Sequence, residues 1–263
     1  MLLEIFKDSF EYSYKDFISI FKLGFLSLLS VFFIPTFFVL GYYYRVVDVG
    51  LNGTINGEDP LPKFGNWFEM FIQGIKILFV RFIYFIPGIL VLIVGNLILV
   101  ATHPALFNNM IINNMPFSSN LSLLSFEIGI IIISSILWLT FYLFSTVAIT
   151  NMVNEKSFLA AFNFKDIIKI IQSIGFVRYV KFYFGCLILF IGIFGVVSLV
   201  ISLISGAMSF LTWVITNSAT YSAIVGGPIA GVLAMVVILF LIPFCMIFES
   251  RAIALIYNMR ELD

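Results

Sequence analysis

Acids and bases are scarce in this chain, and the stretch from Gly41 to Arg81 holds the compact group of them. Arg45 opens it, the adjacent carboxylates Glu58 and Asp59 sit in its turn, and Leu61, Pro62 and Trp67 follow. Two neighbouring carboxylates could bind a cation. A membrane enzyme would need Arg45, Glu58 and Asp59 to face one pocket at the bilayer surface. The plainer reading is a solvated two-acid turn beside an interfacial tryptophan, since Trp favours the headgroup level.

The rest of the sequence offers catalysis little. His103 is the one histidine, and no Cys, His or carboxylate cluster with metal-ligand spacing surrounds it. No phosphate-cradling glycine loop, nucleophile elbow or HExxH motif is present. Cys186 and Cys245 lie far apart in apolar runs and read as small buried hydrophobes. The sequence therefore nominates no catalytic residue, no metal ligand and no cofactor. Ionisable and polar groups inside apolar segments mark transport routes in membrane proteins. The candidates here are Asn96, Glu127 and Asn151, with Glu127 about a turn inside its segment.

These residues must be carried by an unusual body. Of 263 residues, 62% are hydrophobic and 11% charged, and the mean hydropathy is +1.13. An ordinary soluble domain is about one-quarter charged, so this chain cannot coat a water-facing surface. Its solvent must be lipid. Net charge is zero, which gives no field for nucleic acid, and no cleavable signal peptide opens the chain.

In chain order, residues 1–22 read as an amphipathic helix. Glu4, Lys7, Asp8, Glu11, Lys15, Ser19 and Lys22 form its polar stripe, opposite Leu3, Phe6, Phe10, Tyr14, Phe17 and Phe21. Residues 23–44 carry no charge and would span about 33 Å as a straight helix. Pro35 interrupts them, which leaves a kinked spanning helix or a broken, re-entrant one. Turn signals fill Gly50 to Gly57, and a second amphipathic helix is expected over 64–81. Transmembrane helices are expected over 82–102, 123–150, 182–206 and 223–248, with Pro87 in the first turns of the first. A third amphipathic helix is expected over 154–181, and a short charged helical tail from Glu249 onward. The whole reads as one membrane domain, 1–263. Two segments, GIKILFVRFIYF and SIGFVRYVKFYF, resemble each other and are compatible with an internal duplication.

Lysine and arginine concentrate before Leu23, in 45–81, in 156–181 and in the tail, and are missing from 103–122 and 207–222. By the positive-inside rule the basic segments, including loops 45–81 and 154–181 and the C-terminus, are cytoplasmic in a multi-pass cell-membrane protein. Both ends of 23–44 then face the same side, which favours the re-entrant hairpin with four spans after it.

The central stretch also resembles a family of prokaryotic, often archaeal, multi-pass membrane proteins catalogued as domain of unknown function 4013. The resemblance rests on Gly41-Tyr42, Arg45-Val46, Glu58-Asp59, Leu61-Pro62, Phe64, Trp67, Phe71 and Gly74. It is clear over about residues 20–95, and FLAAFNF at 158–164 is similar to the start of the family's later helix. Gly65-Asn66 stand where acids are expected before the Trp, and Ile75 separates Gly74 from Lys76. The resemblance implies prokaryotic membrane residence and brings no activity with it.

The expectation is therefore an all-α polytopic membrane bundle with interfacial amphipathic helices. Its leading function is non-enzymatic, organising membrane lipids, another membrane protein or a second copy of itself. The alternative is a transporter or channel-like protein for a small or lipidic substrate, which requires Asn96, Glu127 and Asn151 to meet at one cavity.

Overall fold

The structure, a computed structural model, describes residues 2–104 and 121–261. It is helical, with no strand among the described residues. The helices are α1 (Leu2–Ser13), α2 (Phe17–Leu29), α3 (Ile34–Asn52), α4 (Trp67–Thr102), α5 (Leu121–Asn154), α6 (Phe164–Ile174), α7 (Phe176–Thr216) and α8 (Ala219–Asn258). Four stretches are long and apolar enough to cross a bilayer: Trp67–Thr102, Leu124–Asn154, Phe176–Thr216 and Ala219–Asn258. The protein is an all-α polytopic membrane bundle. Most of the connection expected over 103–122 lies outside the described residues.

Several expected boundaries move, each for a local reason. The helix expected over 1–22 breaks after Ser13, because Asp16 caps a new helix. Its carboxylate accepts from the Ile18 N–H at 3.0 Å, one of the donors a helix start leaves open, and from the Ser19 hydroxyl at 2.6 Å. The segment 23–44 is broken, not merely kinked. α2 stops in a short 3-10 turn at Ser30–Phe32, and Phe33 reverses the chain at φ +64°. Pro35 sits in the first turn of α3, where its missing donor costs nothing.

The amphipathic and spanning parts of 64–102 form one helix, α4, so Pro87 lies inside it and not at a start. The helix expected over 154–181 shrinks to α6. A turn at Lys156 (φ +50°) and a 3-10 stretch at Phe158–Phe162 precede it, and Gly175 at φ +90° ends it. That backbone favours glycine, so the two similar segments differ: one is mid-helix, the other holds a break. The charged tail is no tail, since α8 runs unbroken from Ala219 to Asn258.

The helices form two compact units, Met1–Leu78 with Thr150–Asp263, and Phe79–Ile149, where the sequence reading has one domain. The first unit is built around the end of α8. Ile247, Phe248 and Ala252–Tyr257 are buried there. Phe6 of α1 stacks on Phe182 and Phe248 at 5.6 and 5.9 Å, and Phe10 meets Phe244 at 5.1 Å. Each buried aromatic of this size contributes on the order of 2 kcal/mol of apolar burial. α3 and α4 lie backbone to backbone at two glycines. A Cβ on Gly41 would come 1.9 Å from the Met70 carbonyl oxygen, and one on Gly74 would come 1.8 Å from that of Phe37. Side chains there would force the helices apart.

In α6, Ile167, Ile170, Ile171 and Ile174 are buried while Lys165, Lys169, Gln172 and Ser173 are exposed. Phe164 and Ile168, which periodicity places on the apolar face, are exposed as well. In the second unit, Gly95 faces Ile130 and Gly88 faces the Trp138 ring, and an apolar groove of about 390 Å³ runs between Leu90–Ile98 and Ile130–Ile133.

Candidate functional site

Arg251 is the largest fully buried side chain of the described residues. It sits in the last turns of α8 with Ala252, Ile253, Ala254, Leu255 and Ile256 after it. A helix apolar on all sides has no face to offer water, so the guanidinium had to find its partners inside. Its Nε donates to Asp8 Oδ2 at 3.0 Å, and its Nη2 donates to Asp59 Oδ2 at 2.8 Å and to the Thr54 carbonyl at 3.2 Å. The Tyr12 ring lies 4.7 Å from the guanidinium carbon. Nη1 has no hydrogen-bond partner and points at Gly53, where a Cβ would come within 2.6 Å of it.

Three chain segments far apart in sequence meet at this cation. Asp8, 5% exposed, comes from α1, and its other oxygen accepts from the Asn56 N–H at 2.6 Å. Asp59 comes from the loop after α3, and its carbonyl accepts from Lys15 Nζ at 2.9 Å. The Tyr12 hydroxyl donates to the Pro60 carbonyl at 3.1 Å. Burial pushes the Tyr12 phenol well above its ordinary pKa. Arg251 pulls it down, and Asp59 and Asp8 push it up. Asn258 donates to the Leu51 carbonyl at 2.9 Å and closes the C-terminal end onto α3.

The cluster is a structural clamp by chemistry. Desolvating an ion costs several kcal/mol, and only tight pairing returns it. Here one buried cation holds two carboxylates, Asp8 in turn holds the Asn56 N–H, and the Asp59 carbonyl takes Lys15.

The nominated interfacial residues separate. Asp59 turns inward to Arg251, whereas Glu58 beside it is exposed. Arg45 does not join them. It donates to the carbonyls of Lys63, Gly65 and Asn66 and to Gln73 Oε1, and so binds the approach to α4. Leu61 is buried, Pro62 is half-buried and Trp67 is half exposed, stacked near Phe38 and Phe64. The polar candidates separate too. Asn96, exposed, donates to the Leu92 carbonyl of its own helix at 2.9 Å. Asn151, buried in the first unit, accepts from the Tyr257 hydroxyl at 2.7 Å and donates to the Ala160 carbonyl at 3.1 Å. Glu127 is half-buried in the second unit, with one carboxylate oxygen unbonded. His103 lies beside Thr102, 2.8 Å from its hydroxyl.

Sequence reasoning missed Arg251 and Asp8. Asp8 was placed in a solvated polar stripe and Arg251 in a charged tail. The signal was there for Arg251: a cation, two residues after Glu249, that opens an unbroken apolar run. Nothing local marked Asp8, whose spacing is that of an exposed position.

An open cleft of about 610 Å³ lies elsewhere in the same unit, lined among others by Asn151, Glu155, Asp166 and Arg260. Arg260 lies over the Tyr257 ring at 4.0 Å, and Asn163 bonds Asp166. Among the described residues, no three His, Cys, Asp or Glu side chains gather as metal ligands would.

Residues 25–206 match the family model described as "Protein of unknown function (DUF4013)". The chain belongs to that family. No curated protein and no solved structure matches it. The segment matched to the DUF4013 model contains Arg45 and Asp59, but it begins after Asp8 and ends before Arg251. Two of the three charges of the clamp thus lie outside it.

Proposed function

We propose that this integral membrane protein is a non-enzymatic component that organises lipid, or a partner protein, through the rim of its first unit. The supporting observation is the set of exposed aromatics in the first unit. Phe17, Phe21, Trp67, Phe68, Phe164 and Phe176 are exposed there, and Lys15, Lys22, Lys165 and Lys169 are interleaved with them in sequence. Aromatic rings with adjacent cations suit the level where headgroups meet acyl chains. Asp8, Asp59 and Arg251 are paired with one another, which favours a scaffold over a reaction site. The basic loops 45–81 and 154–181 then lie on the cytoplasmic side of a cell membrane. Asn96, bonded within its own helix, and Asn151, bonded to Tyr257 and Ala160, lend the transport reading no support.

Native mass spectrometry of the chain taken from its own membrane in mild detergent tests this. The expected result is a phospholipid class, or a second polypeptide, retained at fixed stoichiometry and lost in a Trp67→Ala/Phe68→Ala variant. A chain that carries neither, or whose retained molecule is untouched by the variant, overturns the reading.

A further inference from the structure

The turn between α2 and α3 is unusual for a protein surface. Val31, Phe32, Phe33 and Ile34 are consecutive, large and apolar, and each is between 60% and 88% exposed. The backbone beneath them turns its polar groups inward. The Phe33 N–H donates to the Ser30 carbonyl at 2.9 Å, and the Thr36 N–H donates to that of Phe33 at 3.1 Å. The hydroxyls of Ser27 and Ser30 donate back to the Leu23 and Leu26 carbonyls at 2.9 and 3.0 Å, and Pro35 has no N–H to satisfy. A bend that hides its donors and shows only hydrocarbon fits a solvent without hydrogen bonds. Phe33 holds φ +64°, a conformation in which a bulky residue is strained and glycine is at ease. It keeps an exposed ring at that cost.

Packing fixes how deep such a tip can reach. α3 meets α4 in antiparallel register, with Gly41 against Met70 and Phe37 against Gly74. Continuing the register puts Phe33 level with Leu78, two residues past Lys76 of α4. That ammonium needs headgroups or water within side-chain reach. α2 is pinned against α8: Phe17 and Phe21 both meet the Phe240 ring, at 5.2 and 6.1 Å, and a Cβ on Gly24 would come 1.8 Å from the Leu239 carbonyl oxygen.

We infer that the α2–α3 hairpin is an interfacial wedge, its Val31–Ile34 tip seated among the upper acyl chains of the leaflet at the level of Lys76. It is neither a span nor a loop reaching the bilayer centre. The occupant of this surface is lipid hydrocarbon. This goes beyond the rim reading and stands whether that rim gathers lipid or protein.

Nitroxide labels at Val31→Cys and Phe32→Cys test it, on a Cys186→Ala/Cys245→Ala background with Glu11→Cys as an aqueous reference. The protein is placed in nanodiscs of phosphatidylcholine and phosphatidylglycerol, and collisions with oxygen and with a water-soluble nickel chelate are measured. Tip labels should collide with oxygen, exclude nickel and report a depth of about 5–10 Å below the phosphates, while position 11 favours nickel. Nickel access at the tip puts it in water and overturns the inference. Protection from both reagents means protein covers it, as in a second copy, and does the same. A depth near the bilayer centre overturns the shallow placement. Hydroxyl-radical footprinting of the wild-type chain checks the result without substitutions. Phe32 and Phe33 should be oxidised no faster than the phenylalanines of α7, and rapid oxidation refutes the wedge.

Discussion

Replacing Arg251 by methionine separates a structural clamp from an incidental pair. The change keeps volume and removes the charge. Asp59 is 28% exposed in its side chain and can turn to water, so little of the penalty falls there. Asp8, 5% exposed, cannot. It would be left with the Asn56 N–H as its remaining partner while still carrying a charge. Removing one partner of a buried pair costs about 3–5 kcal/mol for this reason. At about 2–4 °C per kcal/mol for a chain of this order of size, Arg251→Met should lower Tm in detergent by roughly 6–20 °C.

The companion variants fix the cause. Asp8→Asn should cost less than Arg251→Met, because Asp59 and the Thr54 carbonyl still hold the cation. Asp59→Asn should cost least. The double variant Asp8→Asn/Arg251→Met removes both buried charges, and the amide at position 8 can still accept from Asn56. It should recover to within about 2 kcal/mol of wild type. Circular dichroism or intrinsic fluorescence against temperature reads all four. An Arg251→Met Tm within about 3 °C of wild type, or a double variant no more stable than that single one, refutes the reasoning.

Gly53→Ala places a methyl 2.2 Å from Asp59 Oδ2 and 2.6 Å from Arg251 Nη1. It should destabilise by about 1–3 kcal/mol, whereas Gly65→Ala, with nothing within 4 Å, should leave the melting curve unchanged. Asn151→Ala strips the buried Tyr257 hydroxyl of its acceptor and should cost about 1–3 kcal/mol. The Asn151→Ala/Tyr257→Phe pair should cost less than the sum of its singles in the same melt. Asp16 is held below its ordinary pKa chiefly by the Ser19 hydroxyl, with the Ile18 and Ser19 N–H groups helping and slight burial opposing. Its contribution to α2 is therefore complete above the usual carboxylate range and is lost as pH falls through the lowered folded value. Protection of the first-turn amides of α2, taken relative to their intrinsic exchange rates, should fall in acid, and Asp16→Ala should remove that pH dependence at a cost of about 1 kcal/mol.

The sequence determined the solvent, the helical class and the family. Each follows from composition or from long apolar runs, which hold wherever the helices go. Four spans were legible because a bilayer demands length. Boundaries were less so. Asp16 and Gly175 broke expected helices through local hydrogen bonds and backbone angles that hydrophobic periodicity does not encode, and the break expected at Pro35 fell at Phe33. Conversely α4 ran through Lys76 and Arg81, since a charged residue ends an apolar window without ending a helix.

The clamp was decided by tertiary structure alone. Asp8, Asp59 and Arg251 occupy three positions whose local patterns read as amphipathic stripe, polar turn and charged tail, and each pattern is correct for its own segment. Only when α1 and the 53–60 loop close over the end of α8 does water leave and pairing become obligatory. Burial there is a property of the assembled unit, and no window of sequence carries it.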